Sequence, residues 1–190
     1  MADISLKPKP ILDSFDHDYG DVHLQELPSL AIVSMAIPQG DDDNCDAAIN
    51  AAWHCASPDN GRHCVSKDGN TRIARTQPDQ FFVMFDHSSD DARQTVKTAT
   101  GGAFWTTEQT DVWCALRISG PASREVLARI CPLDLHPDVF GSDHMGRTIM
   151  EHLGAIILNT GENEFTLLSA RSSAQSFLHA IETSIKNVLG

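Results

Sequence analysis

The sequence predicts an α+β protein built from a duplicated unit of strand, helix, two strands and helix. Its 190 residues, of which 41% are hydrophobic and 21% charged, are typical of a globular chain long enough to bury a core. Segments with strand alternation are interleaved with segments of helical spacing. Two of the segments also align with each other along the chain. These observations favour two related halves around a shared core.

The first strand and helix are predicted within residues 30–53. Leu30–Ile37 is rich in branched apolar residues and stops before Pro38, which indicates a strand. Asp41–Asp43 then precede apolar residues at helical spacing over 45–53. Because the helix macrodipole favours acidic residues in the first turn, the acidic run indicates a helix start rather than a cation site.

A loop, a hairpin and a second helix are predicted next. Residues 56–70 are polar and contain Gly and Pro, which predicts a loop. Thr71–Arg75 and Gln80–Phe85 are predicted strands joined by a short turn. Ser89–Asp91 has the composition of a helix cap, and the helix is predicted over 92–99.

The second half is predicted to repeat this order. Val112–Ile118 shows strand periodicity, and Gly120-Pro121 starts a helix because proline suits a first turn. The apolar face of the last helix, which begins near Ser172 or Ser173, has a period close to 3.6. Three more strands are predicted between these helices, at Thr148–Leu153, Ala155–Leu158 and Glu164–Ser169.

An ungapped alignment between the two hairpins supports the duplication. Ile73–Met84 matches the stretch that starts 84 residues later, so that Thr76 pairs with Thr160 (160 − 76) and Phe81 with Phe165 (165 − 81). Each stretch is predicted as strand, turn and strand leading into a capped helix. The alternative is a chance similarity between two amphipathic hairpins, and the duplication is favoured over it.

The domain organisation follows from this repeat. Residues 1–21 are expected to form an extended arm with weak structure, ordered against a partner. Residues 22–190 are expected to form one domain of two pseudo-repeats, at about 22–100 and 103–190.

The charge of the chain excludes some functions. Lys and Arg number 14 and Asp and Glu 26, which gives a formal net charge of −12. So acidic a surface repels nucleic acid and anionic lipid, and no basic cluster offsets it. No apolar run approaches the roughly 18–20 residues that span a bilayer, and no signal peptide pattern is present. We therefore expect a cytoplasmic protein that binds neither nucleic acid nor membrane.

Cysteine and histidine offer a candidate metal site. The five cysteines, an odd number, are expected to be reduced thiols. His54-Cys55 and His63-Cys64 present ligands that suit zinc, to which Cys45 could add a third thiol. The spacing is not that of a zinc ribbon or finger, so an ordinary helix end and loop are favoured.

No catalytic constellation is evident in the sequence. It contains no phosphate-binding loop, dinucleotide fingerprint, HExxH helix or GxSxG motif. Backbone amides at Ser119–Pro121 suggest an anion site, but a tight strand-to-helix turn is favoured. Cys114 and Cys131 are expected to be buried thiols rather than nucleophiles. We predict no catalytic residue.

A group of segments, most of them in the second half, forms a more specific pattern. Its members are Leu24–Pro28, Thr110–Pro121, Arg124–Ala128, Cys131–Pro137 with Phe140, Arg147-Thr148, Phe165–Leu168 and Ala170–Ala174. With this pattern, the chain from about residue 22 to its C-terminal end resembles the gamma subunits of heterotetrameric sarcosine oxidase. Residues 41–70, which contain the His-Cys pairs, depart from the pattern, so the pairs are given no family role.

The resemblance implies a fold similar to the folate-binding domain of glycine-cleavage aminomethyltransferases. It also implies a complex of alpha, beta, gamma and delta subunits that oxidises sarcosine to glycine with oxygen. The products would include hydrogen peroxide and a one-carbon unit, released as formaldehyde or passed to tetrahydrofolate. FAD, FMN, NAD, tetrahydrofolate and zinc are implied for the other subunits, so none is expected on this chain.

Three charged residues are candidate contacts with the other subunits: Arg117, Asp134 and Arg171. Each is equally open to an ordinary surface or capping role, which is favoured. Three alternative functions remain open. The chain could be the equivalent subunit of an N-methylglutamate dehydrogenase, a free-standing folate-binding protein, or a structural zinc protein.

Overall fold

The computed structural model describes residues 9–87 and 91–190, and of Asp42 and Asp43 the backbone alone. Two 3₁₀ turns lie at Thr110–Val112 and Arg171–Ser173, each directly before a strand or helix. The helices are α1 (Asp42–Trp53), α2 (Ala92–Ala99), α3 (Ser123–Ala128) and α4 (Ala174–Leu189). The strands are β1 (Asp16–Asp18), β2 (His23–Glu26), β3 (Leu30–Ala36), β4 (His63–Val65), β5 (Thr71–Gln77), β6 (Gln80–Asp86), β7 (Trp105–Glu108), β8 (Trp113–Ser119), β9 (Met145–Met150), β10 (Leu153–Gly161) and β11 (Glu164–Ala170).

The strands form two antiparallel sheets that pack face to face, with helices on the outer faces. The first-half sheet has the order β4-β5-β6-β3-β7, and the second-half sheet has the order β1-β2-β8-β11-β10-β9. One apolar core lies between α1, α2 and the first-half sheet, and a larger one between α3, α4 and the second-half sheet. A third cluster, which includes Phe82, Met84, Ala115 and Leu168, fills the space between the sheets. The central strands β3, β6, β8, β10 and β11 are thus largely buried on both faces.

The strand order confirms the duplicated fold. Along the chain, the first half runs β3-α1-β4-β5-β6-α2 and the second runs β8-α3-β9-β10-β11-α4. In each half the last three strands are adjacent in the sheet, and the first strand of the half lies beside the last one. The repeated unit contains one strand more than the predicted strand, helix, two strands and helix. In the second half this extra strand, β9, corresponds to the predicted strand Thr148–Leu153, whereas β4 of the first half was not predicted.

The aligned threonines occupy the same irregularity in both hairpins. The register between β5 and β6 shifts between Arg75 and Gln77, and that between β10 and β11 shifts between Asn159 and Gly161. Thr76 and Thr160 are therefore the extra residues of two equivalent β-bulges. A bulge at the same place in both halves supports common descent over chance similarity.

The aromatic residues that the alignment pairs are also in equivalent surroundings. Phe81 and Phe165 are both fully buried against the helices of their half. The guanidinium of Arg75 lies 5.0 Å from the ring centre of Phe81, and that of Arg124 lies 5.0 Å from that of Phe165. Each pair is a cation–π contact at the edge of its core.

The two halves exchange their leading strands. β2 comes immediately before β3 in the chain but pairs with β8, whereas β7 comes before β8 but pairs with β3. Glu26 lies opposite Leu116, and Glu108 lies opposite Val33. Each sheet is thus completed by a strand of the other half, which ties the pseudo-repeats into one unit.

The N-terminal segment requires a correction. Of the weakly structured arm expected over residues 1–21, residues 1–8 lie outside the described residues. In the rest, β1 pairs with β2 in register from Asp16↔Gln25 to Asp18↔His23. The buried Glu26 carboxylate also accepts hydrogen bonds from the backbone N–H groups of Ile11, Leu12 and Ser14. The segment from residue 9 to residue 21 therefore packs on the second-half sheet.

One further detail differs from the predictions, and one predicted helix cap is confirmed. The loop predicted over residues 56–70 contains β4, whose three residues are too short for an alternation signal. Asp91 accepts a hydrogen bond from Gln94 N and so caps α2, whereas Ser89 and Asp90 of the predicted cap lie outside the described residues.

No helix in residues 9–87 and 91–190 is long and apolar enough to cross a membrane.

Candidate functional site: a cleft between the two sheets

The space between the sheets changes from apolar to polar toward one end. Arg72 lies two residues before Ala74 on β5, and Arg117 lies two residues after Ala115 on β8. Ala74 and Ala115 belong to the apolar cluster between the sheets. Because side chains two apart on a strand share a face, both arginines extend from the inner faces of their sheets.

The arginines line the same cleft. This inter-sheet cleft has a volume of about 620 Å³. It is lined by the first half through Arg72, Met84 and Asp86, and by the second half through Arg117 and Thr166. The cleft therefore has a wall from each half.

A histidine holds Arg72 in place. His63 on β4 is buried, and its Nε2 lies 2.8 Å from the backbone oxygen of Asn159 on β10. Since a carbonyl oxygen only accepts, Nε2 carries the proton and Nδ1 accepts a 2.9 Å hydrogen bond from the Arg72 guanidinium. Burial, together with the positive charge of Arg72, lowers the pKa of His63 to about 4.

Arg117 keeps unused hydrogen-bonding capacity. One terminal nitrogen donates a 2.7 Å hydrogen bond to Oε1 of Gln25 on the neighbouring β2. Its Nε is buried and has no partner within the described part of the chain. Because a guanidinium has five N–H groups, its terminal nitrogens can donate to a further acceptor.

Neither Arg72 nor Arg117 forms an ion pair with a carboxylate among the described residues. Asp86 is an exposed lining residue whose Oδ1 accepts a hydrogen bond from the Ser29 hydroxyl. Glu164 accepts a hydrogen bond from Thr160 and influences Arg72 only through its charge. Burial lowers the pKa of Arg72, and the charge of Glu164 opposes that effect.

The predicted contact residues do not come together. Asp134 is exposed and its Oδ1 accepts a 2.9 Å hydrogen bond from His136 N, which is a turn cap. Arg171 donates to the backbone oxygen of Lys9 and lies 3.7 Å from Oδ1 of Asp111. Of the three predicted residues, Arg117 alone faces the inter-sheet cleft.

The candidate zinc ligands do not converge either. Sγ of Cys55 and Sγ of Cys64 lie 3.0 Å apart on the helical side of the first-half sheet. His63 faces the opposite side of that sheet, and His54 is an exposed residue with a left-handed backbone at the end of α1. No three His, Cys, Asp or Glu side chains within the described ranges are placed to hold a metal ion.

The remaining candidates have structural roles. Cys114 is buried, and this burial raises its pKa to about 12, which suits an inert core thiol. The amides around Gly120 are already used, because Gly120 N donates to Asn163 O and Ala122 N donates to Asp21 O. The turn after β8 therefore leaves no amide pair for an anion.

Sequence reasoning did not identify Arg72 or His63 as partners in this cleft. Strand alternation placed Arg117 on the face of β8 opposite its apolar row. The same alternation on β5 could have placed Arg72 on the corresponding face of its own strand. His63 could not be found in this way, because its segment was interpreted as a loop.

The fold defines the class of protein: a duplicated α+β module whose fold is similar to that of an aminomethyltransferase. Aminomethyltransferase T of the glycine cleavage system from Bartonella henselae is similar over 82% of this chain and 44% of its own, with 12% identity and a TM-score of 0.59. A chain of the heterotetrameric sarcosine oxidase from Corynebacterium sp. U-96, in complex with pyrrole 2-carboxylate, matches with a TM-score of 0.74 and 23% identity. That match covers 87% of this chain and 84% of the other.

The chain belongs to the sarcosine oxidase gamma subunit family, whose model matches residues 41–185. The sarcosine oxidase subunit gamma of Arthrobacter sp is 26% identical over 149 residues, which are 78% of this chain and 72% of that protein. The same subunit of Corynebacterium sp. strain P-1 is 34% identical over 64 residues, about a third of each chain. The predicted family is confirmed.

Proposed function

We propose that this chain is the gamma subunit of a cytoplasmic heterotetrameric sarcosine oxidase and that it acts as an accessory, non-catalytic component. The family match over residues 41–185 carries this proposal. The structural similarity to a chain of such an oxidase supports it, since the two chains share their architecture over most of their length.

In this proposal the chemistry belongs to the alpha, beta and delta subunits. They would oxidise sarcosine to glycine and hydrogen peroxide, with the one-carbon unit leaving as formaldehyde or as methylenetetrahydrofolate. FAD, FMN, NAD, tetrahydrofolate and zinc would be bound there. The gamma chain contributes a rigid two-sheet body that holds the others in position.

Trp105 is the best candidate for a contact with another subunit. It lies on β7, at the edge of the first-half sheet, and 73% of its surface is exposed. Tryptophan is enriched at the centre of protein interfaces, and an edge strand presents unpaired backbone groups to a partner. Arg117, Asp134 and Arg171 remain secondary candidates.

Co-expression tests the proposal. The chain is tagged and produced with its neighbouring flavoprotein genes, and the eluate is assayed for sarcosine-dependent peroxide. We expect a yellow, active complex with the wild-type chain. Activity toward N-methylglutamate instead of sarcosine would favour the related dehydrogenase, and a colourless chain eluting alone would contradict both assignments.

A matched pair of variants tests the contact. Trp105→Ala should leave the melting temperature of the chain unchanged while reducing the amount of flavoprotein recovered with the tag. Val139→Ala, in a loop where the side chain is 52% exposed, serves as control and should recover the wild-type amount. Equal recovery with both variants would exclude Trp105 from the interface.

A further inference from the structure

The inter-sheet cleft concentrates positive charge in an acidic protein. The whole chain has 14 Lys and Arg residues and a formal net charge of −12, yet two of its arginines line one cleft. The hydrogen bonds described for both go to uncharged acceptors, the imidazole of His63 and the amide of Gln25. Half-buried arginines normally have a carboxylate or phosphate partner, which neither has within the described residues.

We propose that the inter-sheet cleft is an anion-binding site in which Arg72 and Arg117 hold a carboxylate or phosphate group. The guanidinium is the side chain best suited to this task, because its planar N–H groups match the two oxygens of a carboxylate. Each guanidinium uses one terminal nitrogen, Arg72 toward His63 and Arg117 toward Gln25, and so keeps further N–H donors for an anion.

The rest of the cleft suits a small organic acid. Its volume of about 620 Å³ is in the range of small-molecule sites. Met84, Leu27 and Leu30 provide apolar walls beside the arginines, and Thr166 adds a hydroxyl. Polar groups fixed at one end of an apolar cleft orient a ligand that has a charged head and an uncharged body.

The acidic residues nearby do not block the site. The carboxylate of Asp86 is exposed and holds the Ser29 hydroxyl at 3.0 Å. Glu164 is bound by the Thr160 hydroxyl at 3.0 Å. Asp86 lines the cleft and the charge of Glu164 acts on Arg72, but neither carboxylate forms an ion pair with Arg72 or Arg117 among the described residues.

The anionic group that binds in the cleft can belong to a small molecule or to another subunit. A free carboxylate or phosphate compound would bind to the isolated chain, whereas an Asp or Glu side chain of another subunit would bind only in the complex. The second source rests on the proposed function. The first stands whether or not the chain is part of an oxidase, so the two proposals can fail separately.

Calorimetric titration of the full chain with citrate and with inorganic phosphate tests the first source. We expect saturable binding that weakens about tenfold or more in Arg117→Gln, since a hydrogen bond to a charged group is lost. Arg72→Gln should have a similar effect, and Arg117→Lys should retain part of the affinity. Arg147→Gln, which changes an exposed arginine on β9, is the control and should bind like the wild type.

Retention in the co-expressed complex tests the second source. If the isolated chain does not bind citrate or phosphate, Arg117→Gln should release it from the complex at a lower salt concentration than Arg147→Gln does. Melting temperatures confirm that the variants are folded, and Arg117→Lys replaces Arg117→Gln if the latter is not. Unchanged anion binding and unchanged retention in both arginine variants would overturn the proposal.

Discussion

His63 Nε2 donates a 2.8 Å hydrogen bond to the backbone oxygen of Asn159 and so joins the two sheets through their shared interior. His63 lies on β4 of the first half, and Asn159 lies beside the bulge of β10 in the second. The same ring accepts a hydrogen bond from Arg72 at the cleft. One neutral imidazole thus links the contact between the halves to the candidate anion site.

The first prediction concerns the pH dependence of stability. The pKa of His63 falls from about 6.5 in the unfolded chain to about 4 in the folded protein, so the unfolded state binds the proton first as pH decreases. The free energy of unfolding should therefore fall between pH 6.5 and pH 4, by up to about 3 kcal/mol from this group. Urea unfolding at a series of pH values measures the change.

A variant isolates the contribution of His63. His63→Gln, whose amide can still donate to Asn159 O, should show a shallower loss of stability over the same pH range. His179→Gln, an exposed residue on α4, should follow the wild-type curve. The groups whose charges influence His63 are Arg72, Asp143 and His144. Parallel curves for wild type and His63→Gln would contradict the assigned shift.

The second prediction concerns the N-terminal segment. Glu26 is 6% exposed, and its carboxylate accepts three backbone N–H groups between residues 11 and 14. Glu26→Gln should lower the free energy of unfolding by about 2 kcal/mol, because charge-assisted hydrogen bonds become weaker or are lost. It should also increase limited proteolysis near residue 12. Glu125→Gln, on the exposed face of α3, should change neither.

The third prediction concerns the turn after β8. Gly120 has a φ of +114°, and a Cβ there would lie 2.4 Å from the backbone oxygen of Asp21. Gly120→Ala should therefore destabilise the protein by roughly 2 kcal/mol or more, through backbone strain and the close contact. The melting temperature measures the loss. Gly154→Ala, where no atom lies within 4 Å of the added Cβ, should leave it unchanged or slightly higher.

Local sequence patterns predicted much of the fold. Long segments with a clear period, such as β3, β8 and α4, lie within a few residues of their predicted positions. The 84-residue offset identified the paired hairpins down to the bulged threonines. These features could be predicted because they depend on contacts between residues close in the chain.

The missed features depend on short segments or on distant partners. β1, β4 and β7 have three or four residues each, too few for an alternation signal. The exchange of β2 and β7 between the sheets requires pairing between residues far apart in the chain. The candidate zinc ligands Cys64 and His63 are neighbours on a strand and therefore face opposite sides of the sheet.

The central claim is that this chain is one component of a four-subunit oxidase. Native mass spectrometry of the complex purified through this chain measures it most directly. We predict a single assembly whose mass equals one copy of the 20.7 kDa chain plus one copy each of three other subunits. A chain that remains at 20.7 kDa, or assembles only with itself, when the neighbouring flavoprotein genes are expressed alongside it would contradict the account.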